Sequence, residues 1–362
     1  MGTPDPEGSR NPEGTQDPKG SQDAPSGYTA SVIAAIWLAS AAVLGACVMA
    51  SFRIDFGSDP QLLLQANGAR TLLGAAAGAG LALGASLRRR GKGRPLAELE
   101  IVSAATGAAV GGFVAVSWLP DVSVPVLAAV FCLAATAGAA AGGAVARGLD
   151  RGSRWSNLGV GLVLAAIVGG AAVAGSYVGA RLDFVRPAVR WLLGDLSRAA
   201  LPSAALLAAA VVVAGAYGVA RTRSGSNATL GGVGWLVTGL AIGAAGPLAF
   251  VGSFVPRAVT GLAPSGSAAV RLAASLAAGA ATVVALDTVP RLLVGGYALP
   301  FNVAATMLAV PVLLLWNRAR LRRQLGAGPR LLEGVELAGI LGASATAVAF
   351  AWVLTTVVRG AT

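Results

Sequence analysis

Beyond residue 28 the chain alternates between apolar runs of 16 to 26 residues and short polar connections. A bilayer core about 30 Å thick takes about 20 residues of helix to cross. The runs at 29–52, 70–87, 101–118, 123–146, 156–180, 202–220, 229–246, 247–262, 267–287, 301–317 and 332–357 therefore predict ten or eleven spanning helices. Several are short or interrupted, notably at Pro247, Pro256 and Pro311. A broken helix is tolerated in a membrane only where protein or a water-filled cavity satisfies the freed backbone groups. The pattern therefore favours a transport core over a passive anchor. The fold expected is all-α, a polytopic transmembrane helix bundle.

The first 27 residues follow a different pattern. Pro6-Glu7-Gly8-Ser9-Arg10-Asn11 recurs as Pro12-Glu13-Gly14-Thr15-Gln16-Asp17 and again as Pro18-Lys19-Gly20-Ser21-Gln22-Asp23. Such a segment has no apolar side chains whose burial would offset its ordering entropy, so 1–27 is expected to be a disordered tail. It lacks the basic start and short apolar core of a signal peptide.

Composition agrees with a chain solvated by lipid. Hydrophobic residues make up 55% and charged residues 12%, about half the charged share of an ordinary soluble domain. Mean hydropathy is +0.71. The 50 glycines suit close helix packing, as in the pairs Gly74/Gly78, Gly80/Gly84, Gly107/Gly111, Gly138/Gly142 and Gly175/Gly179. The net charge of +11 does not imply nucleic acid, because the cations sit in short clusters between apolar runs rather than on one face or tail. Counted by loop, 16 Lys and Arg fall on one side and 9 on the other. The richer side, holding Arg88–Arg94, Arg147–Arg154, Arg221, Arg223, Arg271 and Arg318–Arg330, is expected to face the cytoplasm, with the N-terminus inside. The poorer side holds Arg53, Arg70, Arg181, Arg186, Arg190, Arg198, Arg257, Arg291 and Arg359.

Little catalytic chemistry is encoded. There is no histidine, no P-loop, no HExxH and no Cys/His cluster, so no metal site is expected. Cys47 and Cys132 read as small buried hydrophobes. Glu333 and Glu336 open the last expected span, where a helix N-terminus favours negative charge; a proton relay is the alternative reading. Asp287 stands at the end of a span, where an acid is expensive unless it faces protein or water. Alternatively it lies in an outer loop, paired with Arg291.

Arg94-Pro95-Leu96-Ala97-Glu98-Leu99-Glu100-Ile101, followed by Gly107-Ala108, resembles a signature of the FecCD family, the permeases of ABC importers for iron–siderophore, haem and vitamin B12. Gly246-Pro247-Leu248-Ala249-Phe250-Val251-Gly252, with Val255-Pro256-Arg257, is similar to that family's Gly-Pro-Ile-Gly-Phe-Val-Gly and Val-Pro-His. Trp191-Leu192-Leu193-Gly194-Asp195-Leu196, Ala285-Leu286-Asp287-Thr288, Leu299-Pro300 and Ala309-Val310-Pro311 match further family positions in order. The resemblance runs from about residue 65 to 317.

It implies a permease domain over 28–317, of about ten spans, paired with a second copy or paralogue. It also implies an extracytoplasmic solute-binding protein, two ABC ATPase subunits that bind the ATP, and a site in the cytoplasmic membrane of a bacterium. The permease itself would bind no cofactor and perform no bond chemistry. Arg70, Arg186, Arg190 and Arg198 are then the expected contacts to the binding protein, and Arg94, Arg221 and Arg223 those to the ATPase.

Three features depart from the family pattern. The external start of the second span, Asn67-Gly68-Ala69-Arg70, keeps one of two family arginines. The connection after the sixth span is only Arg221–Asn227, too short for coupling helices. Residues 318–362 add a basic linker and one extra C-terminal span. The alternatives to a chelate permease are a diverged relative without ATPase coupling and an intramembrane enzyme. The lack of histidine and of paired intramembrane acids argues against the last.

Overall fold

The computed structural model describes residues 26–53, 64–92, scattered positions from 126 to 140, 191–224 apart from 192, 229–264, 266–293 and 301–305 apart from 303. Six long helices are described: α1 (Ser26–Arg53), α2 (Ala69–Lys92), α3 (Leu201–Ser224), α4 (Leu230–Ala245), α5 (Ala249–Leu262) and α6 (Ala268–Leu293). A π-helical turn, Leu64–Gly68, runs directly into α2, and a 3₁₀ turn, Leu196–Arg198, precedes α3. The described part of the molecule is all-α. Segments within α1, α2, α3 and α6 are long and apolar enough to cross a membrane, and α4 is a shorter apolar helix. The spans expected at 101–118, 156–180 and 332–357, and most of those at 123–146 and 301–317, lie outside the described residues.

The spans read from the sequence overlie six helices, and several helices run longer than expected, α2 to Lys92 and α3 to Ser224 among them. α1 begins at Ser26, two residues inside the expected tail. α6 continues through Pro290 to Leu293, so Asp287 and Arg291 lie within a helix rather than in a loop. Pro290 is tolerated because neighbouring protein can satisfy the carbonyl it leaves free.

α2 is the hub, and its glycines explain why. A β-carbon added at Gly78 would run into the backbone carbonyl of Gly279 on α6; one added at Gly279 would stand 2.5 Å from Gly78 O. On another face of α2, a β-carbon at Gly84 would stand 2.7 Å from Gly234 O on α4, and one at Gly234 would stand 2.8 Å from Gly84 O. Two reciprocal glycine contacts thus bring α6 and α4 to backbone distance of α2, as small residues allow in membranes. Leucines fill the space between them: Leu81, Leu83 and Leu87 of α2 are fully buried, as are Leu230 of α4 and Leu272 of α6. Trp37, Leu38 and Met49 of α1 and Leu206, Val212 and Val213 of α3 remain exposed, as expected of faces turned to lipid.

Hydroxyls within the helices bond back to their own helix. Ser86, Thr238, Thr260, Ser275 and Thr282 each donate to the carbonyl four residues earlier, at 2.7–2.8 Å. That satisfies the donor without a water.

The contacts also fix relative direction. Arg70 near the start of α2 meets Asp287 near the end of α6. At the other end of α2, Arg88 lies over Trp235 near the start of α4, and Arg89 reaches Thr260 near the end of α5. Gly218 late in α3 approaches Leu87 and Leu272, and Ile33 early in α1 approaches Gly266 just before α6. Helices α1, α4 and α6 therefore run one way and α2, α3 and α5 the other. This is the alternation the span order requires.

Candidate functional site

Six of the ten buried polar or charged side chains described gather at one end, where α1 and α6 finish and α2 begins: Ser51, Asn67, Arg70, Asp287, Thr288 and Arg291. Arg70 grips Asp287 with two hydrogen bonds, from Nε to Oδ2 at 2.7 Å and from Nη2 to Oδ1 at 2.5 Å. Asn67, in the π turn, donates from Nδ2 to the Ser51 carbonyl at 3.2 Å and accepts from Arg291 Nη2 at 3.2 Å. The hydroxyls of Ser51 and Thr288 lie 3.4 Å apart.

The chemistry follows from position. Arg70 is buried just after the π turn, and a guanidinium withdrawn from water needs an opposite charge beside it. A fork-shaped guanidinium matches a carboxylate with two parallel bonds. The pairing corrects two sequence expectations. Asp287 pairs with Arg70 rather than with Arg291. Arg70 is 5% exposed, so it presents no solvent-facing guanidinium for a partner protein.

Two of the motif segments meet at the same end of the helices. α4 stops at Gly246, whose φ of 82° terminates it and whose missing side chain leaves room for the Trp191 carbonyl. Trp191 Nε1 donates to Gly243 O at 3.1 Å. Gly194, at φ 72°, closes a turn by donating to Trp191 O at 2.9 Å, and its own carbonyl accepts from Phe301 N at 3.4 Å. Asn302 N donates to Leu193 O at 3.0 Å. Asp195 caps the 3₁₀ turn by accepting from Ser197 N at 2.9 Å. Thus 191–196, 246–248 and the residues just after Pro300, separate in sequence, form one hydrogen-bonded corner. Pro247 is half-buried and Leu248 buried; Gly252 and Pro256 are buried in α5, which passes through Pro256 unbroken. Phe250 lies in the first turn of α5.

The opposite end is cationic. Arg88, Arg89, Arg90, Lys92, Arg221, Arg223, Arg257 and Arg271 lie on its helices. Among the described residues the acids are Asp195 and Asp287, and neither is at this end. Arg257 had been expected on the cation-poor side. It stands one turn before Thr260, towards the Arg89 end, because α5 is already returning there. The connection between α3 and α4 is shorter still than the sequence suggests, since α3 continues to Ser224 and α4 starts at Leu230. It is fastened by Tyr217 Oη against Thr229 Oγ1 at 2.6 Å, with Arg221 Nε donating to Tyr217 Oη at 3.1 Å. Arg198 is in the 3₁₀ turn and Arg223 in the last turn of α3. Arg94, Pro95, Leu96, Ala97, Glu98, Gly107, Arg186, Arg190, Pro300 and Pro311 lie outside the described residues. No group of metal-ligating side chains occurs among the described ones.

Ser51 carries no signal of its own in the sequence, and Asn67 and Thr288 stand in the quoted segments without a role that the sequence reveals. One signal was available: span parity alone places the start of the second span and the end of the ninth on the same side.

No family model matches the sequence, and no curated protein matches it significantly. Among solved structures, the chain resembles one described as an inward-facing conformation of a transporter provisionally classed as metal-chelate type ABC. The TM-score is 0.61 at 16% identity, over 78% of this chain and 98% of that one. At that identity the likeness shows a shared fold, and it spans nearly the whole of the other chain.

Proposed function

We propose that this chain is the membrane permease subunit of an ATP-driven importer that moves a metal chelate across the cytoplasmic membrane by alternating access. The chelate class is iron–siderophore, haem or cobalamin-like. The observation that carries the reading is the shared fold with a metal-chelate-type ABC transporter over 98% of that chain. The order of the FecCD-like segments, and the meeting of two of them, 191–196 and 246–248, at one corner of the bundle, support it.

In this reading the cation-rich end faces the cytoplasm, and so does the N-terminus, since eight cations and no described acid mark that end. The Arg70–Asp287 end faces out. A solute-binding protein docks there, against Arg186, Arg190 and Arg198, with Arg70 withdrawn into the bundle. A second permease copy completes the path, and ATP is bound by the partner ATPases, not by this chain. Arg94, Arg221 and Arg223 belong to the surface that meets them. ATP-dependent uptake of a labelled ferric chelate or cobalamin should vanish when the chain is deleted and return on re-expression; unchanged uptake contradicts the reading.

One observation favours a second reading, a relative that keeps the bundle without ATPase coupling. The α3–α4 connection is a few residues long and pinned by Tyr217 and Thr229. It cannot hold helices several turns long. Purification of the full chain in mild detergent separates the two: a co-purifying ATPase subunit supports the importer, and its absence supports the uncoupled relative.

A further inference from the structure

The buried polar cluster spans two backbone irregularities at one level of the bundle. On the α2 side, the π turn Leu64–Gly68 abuts regular α-helix between Gly68 and Ala69. Such a turn holds an extra residue relative to an α-helical turn, and conversion between the two rotates whatever precedes it. On the α6 side, Pro290 supplies no N–H to the Leu286 carbonyl, so the helix lacks one backbone bond there.

The hydrogen bonds divide along the same lines. Arg70–Asp287 joins α2 to α6 on the bundle side of the π turn and before Pro290, about two helical turns from the close contact of Gly78 with Gly279. Asn67–Arg291 joins the two segments beyond them, the π turn to the α6 tip. Asn67 also holds the end of α1 through Ser51 O. One layer therefore ties together parts that cannot move apart without undoing backbone packing. The other ties together parts that a change of helical register would separate.

We propose that this end of the molecule is a two-layer conformational device. Arg70–Asp287 is a fixed pivot, and Asn67 is a latch holding the π turn, the α1 end and the α6 tip in their present register. Release of the latch lets 64–68 adopt α-helical register and the segment after Pro290 swing, while the pivot stays closed. Resting on the transport reading, this movement belongs to the mouth that receives solute; the device itself does not depend on that assignment.

Hydrogen–deuterium exchange of the full chain in lipid nanodiscs tests it, comparing the unaltered protein with Asn67→Ala, Asn67→Ser and Asp287→Asn. Asn67→Ala and Asn67→Ser should raise exchange of amides in 64–68 and 289–293 by about tenfold, leaving 72–86 and 270–285 unchanged. Asp287→Asn should instead raise exchange along the outer halves of both α2 and α6. No change at 64–68 in either Asn67 variant, or the same spread as in Asp287→Asn, overturns the two-layer device. Exchange is read without transport, so chelate uptake by the same variants tests the transport assignment separately.

Discussion

Asp287 shows how far single residues carry the argument. An acid in an apolar helix demands a partner, and that demand is readable from the sequence. The identity of the partner is not, because Arg70 lies 217 positions away and only the packing of α2 on α6 brings it near. Removing one member of a buried pair leaves the other charge uncompensated, which costs about 3–5 kcal/mol. Asp287→Ala should therefore lower the thermal midpoint in detergent sharply. The exchange Arg70→Asp with Asp287→Arg should recover part of that loss, since it restores opposite charges across the same contact. Arg70→Lys should fall between, since an ammonium cannot make two parallel bonds to one carboxylate. Arg70 also shows the limit of reading cations by loop position: one turn of helix converts an expected docking residue into a buried one.

Elements were more legible than contacts. Length and apolarity located six helices closely, because a bilayer imposes both. The break at Gly246-Pro247 was readable for the same reason, whereas the continuation of α6 through Pro290 was not. The small-residue pairs Gly74/Gly78 and Gly80/Gly84 signalled close packing, but not that Gly78 serves α6 and Gly84 serves α4; neither partner is local. Gly78→Val should force α2 and α6 apart and destabilise the bundle by about 1–3 kcal/mol, the usual cost of overpacking. Gly232→Ala is the control. Nothing lies within 4 Å of a β-carbon there, so it should be neutral or stabilise by up to about 1 kcal/mol through helix propensity. Thermal unfolding of the two variants side by side checks both. Tyr217→Phe removes the bond to Thr229 and should loosen the α3–α4 connection by about 1 kcal/mol, seen as faster proteolysis there.

At the scale of the whole molecule, charge and helix direction agree. Eight described cations and no described acid share one end, and six helices alternate in direction across the bundle. In a variant with Cys47 and Cys132 replaced by alanine, Ser197→Cys should react with an impermeant maleimide added outside intact cells. Ser224→Cys should react only after permeabilisation. The FecCD-like segments were legible one by one in the sequence; the solved transporter, at 16% identity, shares the helical bundle fold. The convergence of 191–196, 246–248 and 301–302 was beyond the sequence, because hydrogen bonds between distant turns leave no periodic signal. The most direct test is uptake of labelled ferric siderophore, haem and cobalamin by cells with and without this chain, with and without depletion of ATP. An importer subunit predicts that uptake of one of these chelates requires both the chain and ATP. Uptake of all three that is indifferent to the chain would contradict it.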